Sequence, residues 1–287
     1  MTKITKYILF FSLIFTTTLT AQWSKGKGKG YYKLSAWSLT ADQHYIASGE
    51  IVENTTRNTL NFSFYGEYGV TDKIDLIAYV PFFTRNTQNN VVSKVRGNII
   101  NNGAALNSFG DTDIGIRYGI LKNNSLALST SLKLGLPTGE TSGGSSAALL
   151  QSGDGEFNQK LQVDLGIPFK LGKLSAFGKT SIGYNHRTKG FSDEINFGGE
   201  IGLHFFDKLW IIGKLNILKS TKNGSLLDEN SNGSLFANNI EYTNLGLGFA
   251  YYINKKIGLS YEYGSAISGR IIAAAPSHSV GLFIDIK

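Results

Sequence analysis

Apolar and polar residues alternate with a period of two over most of the chain that follows the first 21 residues. The clearest segment is Ser125 to Leu136, where every second residue from Leu126 is apolar except Thr130, and the residues between them are small or polar. Successive side chains of a β-strand point to opposite faces, whereas an amphipathic helix needs apolar residues three and four positions apart. The pattern therefore predicts amphipathic β-strands.

The same alternation recurs around residues 60–65, 113–120, 161–167, 195–204, 244–251, 257–264 and 280–286. Four further strands mix apolar and polar residues on both faces, at 31–40, 74–84, 174–186 and 209–219. Short turns near 71–73, 122–124, 170–173, 207–208 and 254–256 alternate with longer segments at 41–58, 85–110, 137–156, 187–193, 221–239 and 269–277. Short periplasmic turns and long external loops are typical of outer-membrane barrels. We expect an all-β, transmembrane, antiparallel up-and-down β-barrel of about twelve strands within residues 22–287.

A soluble all-β sandwich is the competing architecture, because its strands also alternate. The polar face of a sandwich meets bulk water, so Lys, Glu and Thr would be expected there. Here that face is mostly Gly, Ser and Asn with single charges, which suits a crowded barrel interior. A sandwich also gives no reason for turn lengths to alternate, so the sequence favours the barrel, with outer-membrane lipid against its apolar face.

The first 21 residues read as a targeting segment. Lys3 and Lys6 precede a short apolar run, Ile8 to Phe15, and small residues lead to Ala21. That run is too short to cross a bilayer as a helix, so we expect a cleaved signal peptide, residues 1–21, rather than a retained anchor. Together with the barrel pattern, this segment predicts the cell outer membrane as the location.

Composition narrows the class further. The chain has 34 Gly, 14 Tyr and 18 Phe, only 4 Pro, and 17% charged residues, which suits strands and tight turns. It has no cysteine, which excludes thiolate metal sites and cysteine nucleophiles. The net charge of +7 is spread singly along the strands rather than concentrated with stacking aromatics, so no nucleic-acid partner is expected.

Several short motifs carry a family resemblance. They are Glu67 to Leu76, Val80 to Phe82, Phe109 to Thr112, Gly115 to Tyr118 and Leu132 to Glu140. This stretch, roughly residues 60–140, resembles a family of bacterial outer-membrane barrels named for transport in the phenol-degradation meta pathway. That family is similar to the long-chain fatty-acid and aromatic-hydrocarbon channels. The resemblance implies an outer-membrane channel for small solutes.

One departure from the hydrocarbon channels concerns the plug. Those channels carry an N-terminal hatch of several tens of residues, whereas here only Gln22 to Lys29 separate the predicted signal peptide from the first strand. The sequence therefore predicts that any plug comes from a loop, and the loop at 85–110 is the one to test.

Ten charged residues are predicted to lie on the inner face and to line the lumen. They are Glu67, Asp75, Asp113, Arg117, Lys133, Asp164, Lys179, Glu200, Lys214 and Glu262. Both signs occur, so these residues can form a network of interior ion pairs, and they can also set the selectivity of a pore. Asp111 lies where a long loop meets a strand, and it is predicted to anchor that loop through an Asx-type turn.

Neither a metal nor a cofactor is expected. Asp228, Asn230, Asn232 and Gly233 match the start of a calcium loop, but the twelfth position is Asn239 where such a loop needs a bidentate Glu. The four histidines are far apart, and Ser279 follows His278 directly, which places it on the opposite strand face. A Ser–His pair would need both side chains on one face, so no enzyme activity is predicted.

The apolar loop segments 147–150 and 271–275 are the features of the sequence that say most about the solute. They can fold into the barrel mouth as an apolar docking site, or they can contact lipopolysaccharide or a neighbouring subunit. The function favoured by the sequence is passive diffusion of small, apolar or aromatic solutes. The alternative is a structural or adhesion barrel whose long loops bind a partner. The sequence leaves the oligomeric state open.

Overall fold

In the computed structural model of the protein, the described residues are 24–93, 95–144, 150–227 and 234–287. The predicted signal peptide and the calcium-like segment 228–233 lie outside them. Within the described residues, twelve strands of 10 to 19 residues form the wall. They are β1 (Gly30–Tyr45), β2 (Ile51–Gly69), β3 (Ile74–Gln88), β4 (Thr112–Lys122), β5 (Ala127–Leu136), β6 (Asn158–Leu171), β7 (Leu174–Arg187), β8 (Glu194–Phe205), β9 (Leu209–Ser220), β10 (Glu241–Tyr252), β11 (Ile257–Arg270) and β12 (Pro276–Ile286).

The wall is a closed antiparallel barrel. Each strand pairs with its neighbour along the chain, and β1 pairs with both β2 and β12. In this register Gly30 lies opposite Tyr68 on one side and Ile286 on the other. Closure matters because an open sheet edge would present unpaired backbone groups to the membrane. The prediction of an all-β barrel of about twelve strands is confirmed.

No helix among the described residues is long and apolar enough to cross a bilayer.

The outer surface of the barrel is apolar. Large aliphatic side chains point outward from strand after strand, and Leu132, Leu161, Ile201 and Val280 are each about half exposed. Their chain neighbours point inward, as Ser131 does with 2% exposure. Exposed aliphatic rows of this extent are stable only against an apolar medium. The barrel is therefore an outer-membrane protein, and the predicted assignment of faces is correct.

One predicted loop is instead paired. Residues 41–58 were expected to form a long connection, but β1 and β2 continue as a hairpin until Tyr45 lies opposite Ile51. Polar side chains hold this extension together: the Thr40 hydroxyl donates to Asn58 at 2.7 Å. Because neither face of the extension is apolar, the hydrophobic pattern does not reveal it.

The other long connections contain little regular structure. In the segment between β3 and β4, residues 91–92 pair with 99–101, and residues 104–108 pair with the upper part of β3. Residues 272–273 pair with the end of β1. The short turns all lie at the opposite end of the barrel, which we call the periplasmic end because short turns face the periplasm in such proteins.

Candidate functional site

Within the part of the chain that the structure describes, two large cavities lie in the lumen, one above the other. The periplasmic cavity has a volume of about 790 Å³ and opens among the short turns. The outer cavity has a volume of about 500 Å³ and lies beneath the long loops. Both cavities are lined by Lys33, Lys214 and Glu262, so they meet at the level of these three residues.

Those three residues form what we call the junction group. Lys33 on β1 and Lys214 on β9 both bind the carboxylate of Glu262 on β11, with N–O distances of 2.7 and 2.6 Å. The Glu262 side chain is 35% exposed to the lumen and that of Lys214 is 25% exposed. Two ammonium groups therefore share one carboxylate, which leaves an excess positive charge where a solute would pass.

A second set of charges, the buried group, fills one side of the periplasmic half. Arg117 on β4 binds Glu67 on β2 at 2.9 Å and Asp75 on β3 at 3.5 Å. Tyr65 also donates a short hydrogen bond to Glu67. All three charged side chains are at most 5% exposed. Buried charges persist only when each has a partner, so this group ties three strands together.

The residues that precede β1 complete the buried group. The backbone N–H of Lys25 donates to the Asp75 carboxylate at 2.9 Å, and its ammonium lies 3.3 Å from Glu67. Gly26 packs so closely on Gly69 that a Cβ on Gly69 would lie 2.0 Å from the Gly26 carbonyl oxygen. Residues 24–29 thus occupy part of the periplasmic end. The sequence predicted that any plug comes from a loop and gave no sign of these contacts, through which residues 24–29 find carboxylate partners inside the wall.

A third set lies on β6, β7 and β8. Lys179 is 3.5 Å from Asp164 and 3.8 Å from Glu200, and Gln162 donates to Asp164 at 2.8 Å. The remaining two predicted residues, Asp113 and Lys133, are on β4 and β5 and belong to none of the three sets. Eight of the ten predicted charges are therefore brought together in interior ion pairs.

Aromatic rings line the periplasmic cavity. They belong to Tyr31, Tyr65, Phe177, Trp210, Tyr252 and Phe283. Several contact each other, with 5.3 Å between the ring centroids of Phe177 and Trp210 and 5.0 Å between those of Tyr252 and Phe283. Such pairs add to stability beyond the area that they bury. These inward rings explain why strands 31–40, 174–186 and 209–219 show mixed faces in the sequence.

Two glycines let the rings lie flat against the wall. A Cβ at Gly202 on β8 would lie 2.2 Å from the Phe177 ring, and a Cβ at Gly258 on β11 would lie 2.2 Å from the Phe283 ring. Each ring therefore covers the glycine of a neighbouring strand, as in other barrels where an aromatic side chain packs over a glycine. The cavity stays open because the rings do not project across it.

Two loop segments narrow the outer mouth. Leu150 is 3% exposed, and it lines a cavity of only about 50 Å³ together with Leu235 and Phe236. Ser234 donates to the Gln151 side chain at 3.0 Å, which joins the two segments. Ala273 lines the same cavity, so one residue of each predicted apolar segment, Leu150 and Ala273, lies at the mouth. Residues 147–149 of the first segment lie outside the described residues.

The loop at 85–110 contributes mainly to the wall. Its first residues belong to β3, and residues 104–108 pair with them. Asn86 reaches the mouth from the wall, where its amide donates a short hydrogen bond to the Gln151 carbonyl oxygen. The segments that contact each other at the mouth are thus 150–152 and 234–236, whereas residues 104–108 and the upper part of β3 pair with each other in the wall.

A group of charges in the long loops was not predicted. We call it the loop cluster: Arg187 at the end of β7 donates to Glu156 and Glu194 at 2.8 Å and to Asp154 at 2.9 Å. Its guanidinium also lies 4.4 Å from the centre of the Phe191 ring. Three carboxylates share one cation, so they repel each other. Burial raises the pKa of Asp154 to about 7, and neighbouring carboxylates add to this shift.

Asp111 lies beside the loop cluster. Its carboxylate accepts hydrogen bonds from the backbone N–H groups of Gly139 at 2.9 Å and Asp154 at 3.0 Å. Both donors belong to the following loop, at 137–157, whereas the sequence pointed to the preceding one. Asp111 thus contacts a loop through backbone donors, as an anchor would.

The histidines occupy separate places. His204 stacks on Trp210 with 4.4 Å between ring centroids, and His278 hydrogen-bonds to the Tyr261 hydroxyl at 2.9 Å. Among the residues that the structure describes, no three His, Asp or Glu side chains are grouped so that they could hold a metal ion.

The fold is similar to that of known outer-membrane barrels. The chain matches no model of a known protein family and no curated protein sequence. Among solved structures, an outer-membrane channel from Pseudomonas putida F1 has a TM-score of 0.58 at 14% identity, covering 94% of this chain and 99% of that one. The β domain of the Bordetella autotransporter BrkA has a TM-score of 0.53 at 13% identity, covering 91% and 100%. At such identities the likeness concerns the fold.

Proposed function

We propose that this outer-membrane barrel is a channel through which small solutes diffuse passively. The observation that supports this most directly is the pair of cavities, about 790 and 500 Å³, that meet at the junction group. Side chains can largely fill the interior of a small barrel, whereas here two connected cavities leave room for water and a small solute.

Under this proposal the solute flux through the channel is low. Leu150, Leu235 and Phe236 line one small cavity among the outer loops, Leu235 and Phe236 also line the outer cavity of the lumen, and the periplasmic half is partly filled by the buried group. A solute has to displace water and pass these side chains one molecule at a time. The channel therefore favours small solutes, unlike a wide, water-filled pore, which admits solutes of many kinds.

Apolar or aromatic solutes are the proposed cargo. The rings of the periplasmic cavity offer stacking surfaces, and the mouth offers Leu150, Leu235 and Phe236 as apolar contacts. A cavity of a few hundred Å³ has the size of a small-molecule site, and the rings of this one supply apolar contacts between its charged side chains. The family resemblance in residues 60–140 points to the same class of solute.

Liposome permeability tests the proposal. Purified protein in liposomes should admit a small sugar such as arabinose slowly, and replacing Leu235 and Phe236 together by Ala should raise the rate several-fold because the mouth widens. The matched control is Leu227→Ala, which changes an exposed residue of the same long loop and should leave the rate unchanged. If neither the wild type nor the double variant admits any solute, the barrel is not a channel, and the alternative of an adhesion or structural barrel replaces it.

A further inference from the structure

Three strands carry an inward lysine after apolar or aromatic inward residues on the wall of the periplasmic cavity. On β1 Lys33 follows Tyr31, on β7 Lys179 follows Phe177, and on β9 Lys214 follows Ile212 and Trp210. Every second residue of a strand faces inward, so consecutive inward side chains are about 7 Å apart along the strand. All three strands start at the periplasmic end, so Lys33 and Lys179 lie one inward step above Tyr31 and Phe177, and Lys214 lies one step above Ile212 and two above Trp210.

The charges around this cavity are unequal. Seven of its lining residues are lysines and four are Asp or Glu, and two of the lysines, Lys179 and Lys287, also pair with Asp164 and Asp285 just outside the lining. Part of the excess positive charge lies in the junction group, where the single charge of Glu262 neutralises only one of its two lysine partners. Lys33 and Lys214 are 14% and 25% exposed, so their ammonium groups remain accessible from the lumen. The cavity therefore combines apolar rings with accessible positive charge.

We infer that the periplasmic cavity binds small aromatic anions, meaning a single ring that carries one carboxylate. The ring lies against Ile212, with Trp210 below it, and the carboxylate meets the Lys33 and Lys214 ammonium groups one inward step above Ile212. This inference deepens the proposed channel function by naming the charge of the solute. A neutral ring would lose the contact with the ammonium groups, and a cationic ring would be repelled by the excess charge.

Calorimetric titration of the full chain in a non-ionic detergent tests the inference without requiring transport. The probes are benzoate, benzyl alcohol and benzylammonium, which share one ring and differ in charge. Benzoate should bind about tenfold more tightly than benzyl alcohol, as expected for one charge-assisted hydrogen bond, and benzylammonium should bind most weakly. Equal affinities for all three, or tightest binding of benzylammonium, would overturn the inference.

Variants of the junction group test where the carboxylate binds. Lys214→Met should weaken benzoate binding about tenfold and leave benzyl alcohol unaffected, whereas Glu262→Gln should strengthen benzoate binding because both lysines are released. Lys219→Met removes the same charge from an exposed position of β9 and is the matched control. Unchanged benzoate affinity in Lys214→Met contradicts the assignment, and that variant suffices if Glu262→Gln fails to fold.

Planar-bilayer recordings separate this inference from the proposed function. Current that prefers benzoate over sodium, read from the reversal potential in a sodium benzoate gradient, supports both. Benzoate binding without any current supports the aromatic-anion site and removes the transport role. Current without anion preference, together with equal binding of the three probes, supports the channel and overturns the site.

Discussion

Removing Arg117 tests whether the buried group holds the wall together. Arg117 binds two carboxylates, Glu67 and Asp75, that are 2% and 0% exposed. With Lys25 included, two positive charges balance two negative ones. Arg117→Met leaves one uncompensated negative charge inside the barrel, and breaking a buried pair in this way costs about 3–5 kcal/mol.

A second substitution isolates the charge imbalance. Glu67→Gln in the Arg117→Met background leaves only Asp75 and Lys25, which balance. The double variant should therefore lose about 2 kcal/mol or less, roughly 1–3 kcal/mol less than Arg117→Met alone, and Glu67→Gln by itself completes the cycle that gives the coupling energy. Lys219→Met is the control, because it removes the cation of an exposed pair and should cost at most about 0.5 kcal/mol.

The free energy of unfolding can be measured by urea titration of the barrel in lipid vesicles, with tryptophan fluorescence as the signal. All variants should first show the heat-dependent gel shift of a folded barrel. A stabilising role of Arg117 is refuted if the free energy of unfolding of Arg117→Met falls by less than about 1 kcal/mol, or if the double variant is as unstable as the single one. Either result would mean that water or protonation satisfies the charges without Arg117.

Three further predictions concern the cavity and the loops. Gly202→Val occupies the space of the Phe177 ring, so single-channel conductance should fall several-fold, and unchanged conductance would count against the ring's flat position. Arg187→Met leaves three carboxylates without their shared cation, so limited proteolysis should cut the 137–157 loop about tenfold faster; equal cleavage rates would contradict this. Burial raises the pKa of Asp154 from 3.8 to about 7, so the protonated carboxyl favours the ordered loop and this stability is lost as pH rises through about 7. Hydrogen exchange in that loop, corrected for its intrinsic rate, should therefore accelerate as the pH rises from about 4 to about 7 and level off above that, and Asp154→Asn should abolish the change.

The strands and their faces were predictable because lipid imposes one requirement on every strand. Outward residues such as Leu161 and Val280 must be apolar whatever lies inside, so a period of two survives along the chain. Inward-facing residues meet no such single requirement, because apolar, polar and charged side chains can all lie in the lumen. Trp210 and Phe177 point inward, and in the sequence they simply blur the alternation of β9 and β7.

The sequence predicted which charged residues lie on the inner face, but it did not predict which of them pair with each other. Alternation placed Lys214 and Glu262 on the inner face, but it could not show that they meet, because their strands are joined through β10. Lys33 was missed although it alternates with Tyr31 and Ser35, since those neighbours made the face ambiguous. A search for inward lysines above aromatic residues would have found it.

The loop contacts had no usable signal in the sequence. Arg187 and Glu156 are 31 residues apart, and their contact depends on how two irregular loops fold over the same rim. Lys25 likewise finds Asp75 50 positions along the chain. No periodicity constrains such segments, so their partners follow from the closed barrel that brings them together, and only a three-dimensional structure reveals them.

The central claim is that solutes pass through the lumen, and cysteine accessibility tests it most directly because the chain has no native cysteine. Lys214→Cys places a thiol in the lumen, whereas Leu215→Cys places one on the adjacent, outward-facing residue, which is 37% exposed. In planar bilayers, a charged methanethiosulfonate reagent should block the current of Lys214→Cys and leave that of Leu215→Cys unchanged. Modification of Leu215→Cys alone, or current that neither modification alters, would contradict a path through the barrel interior.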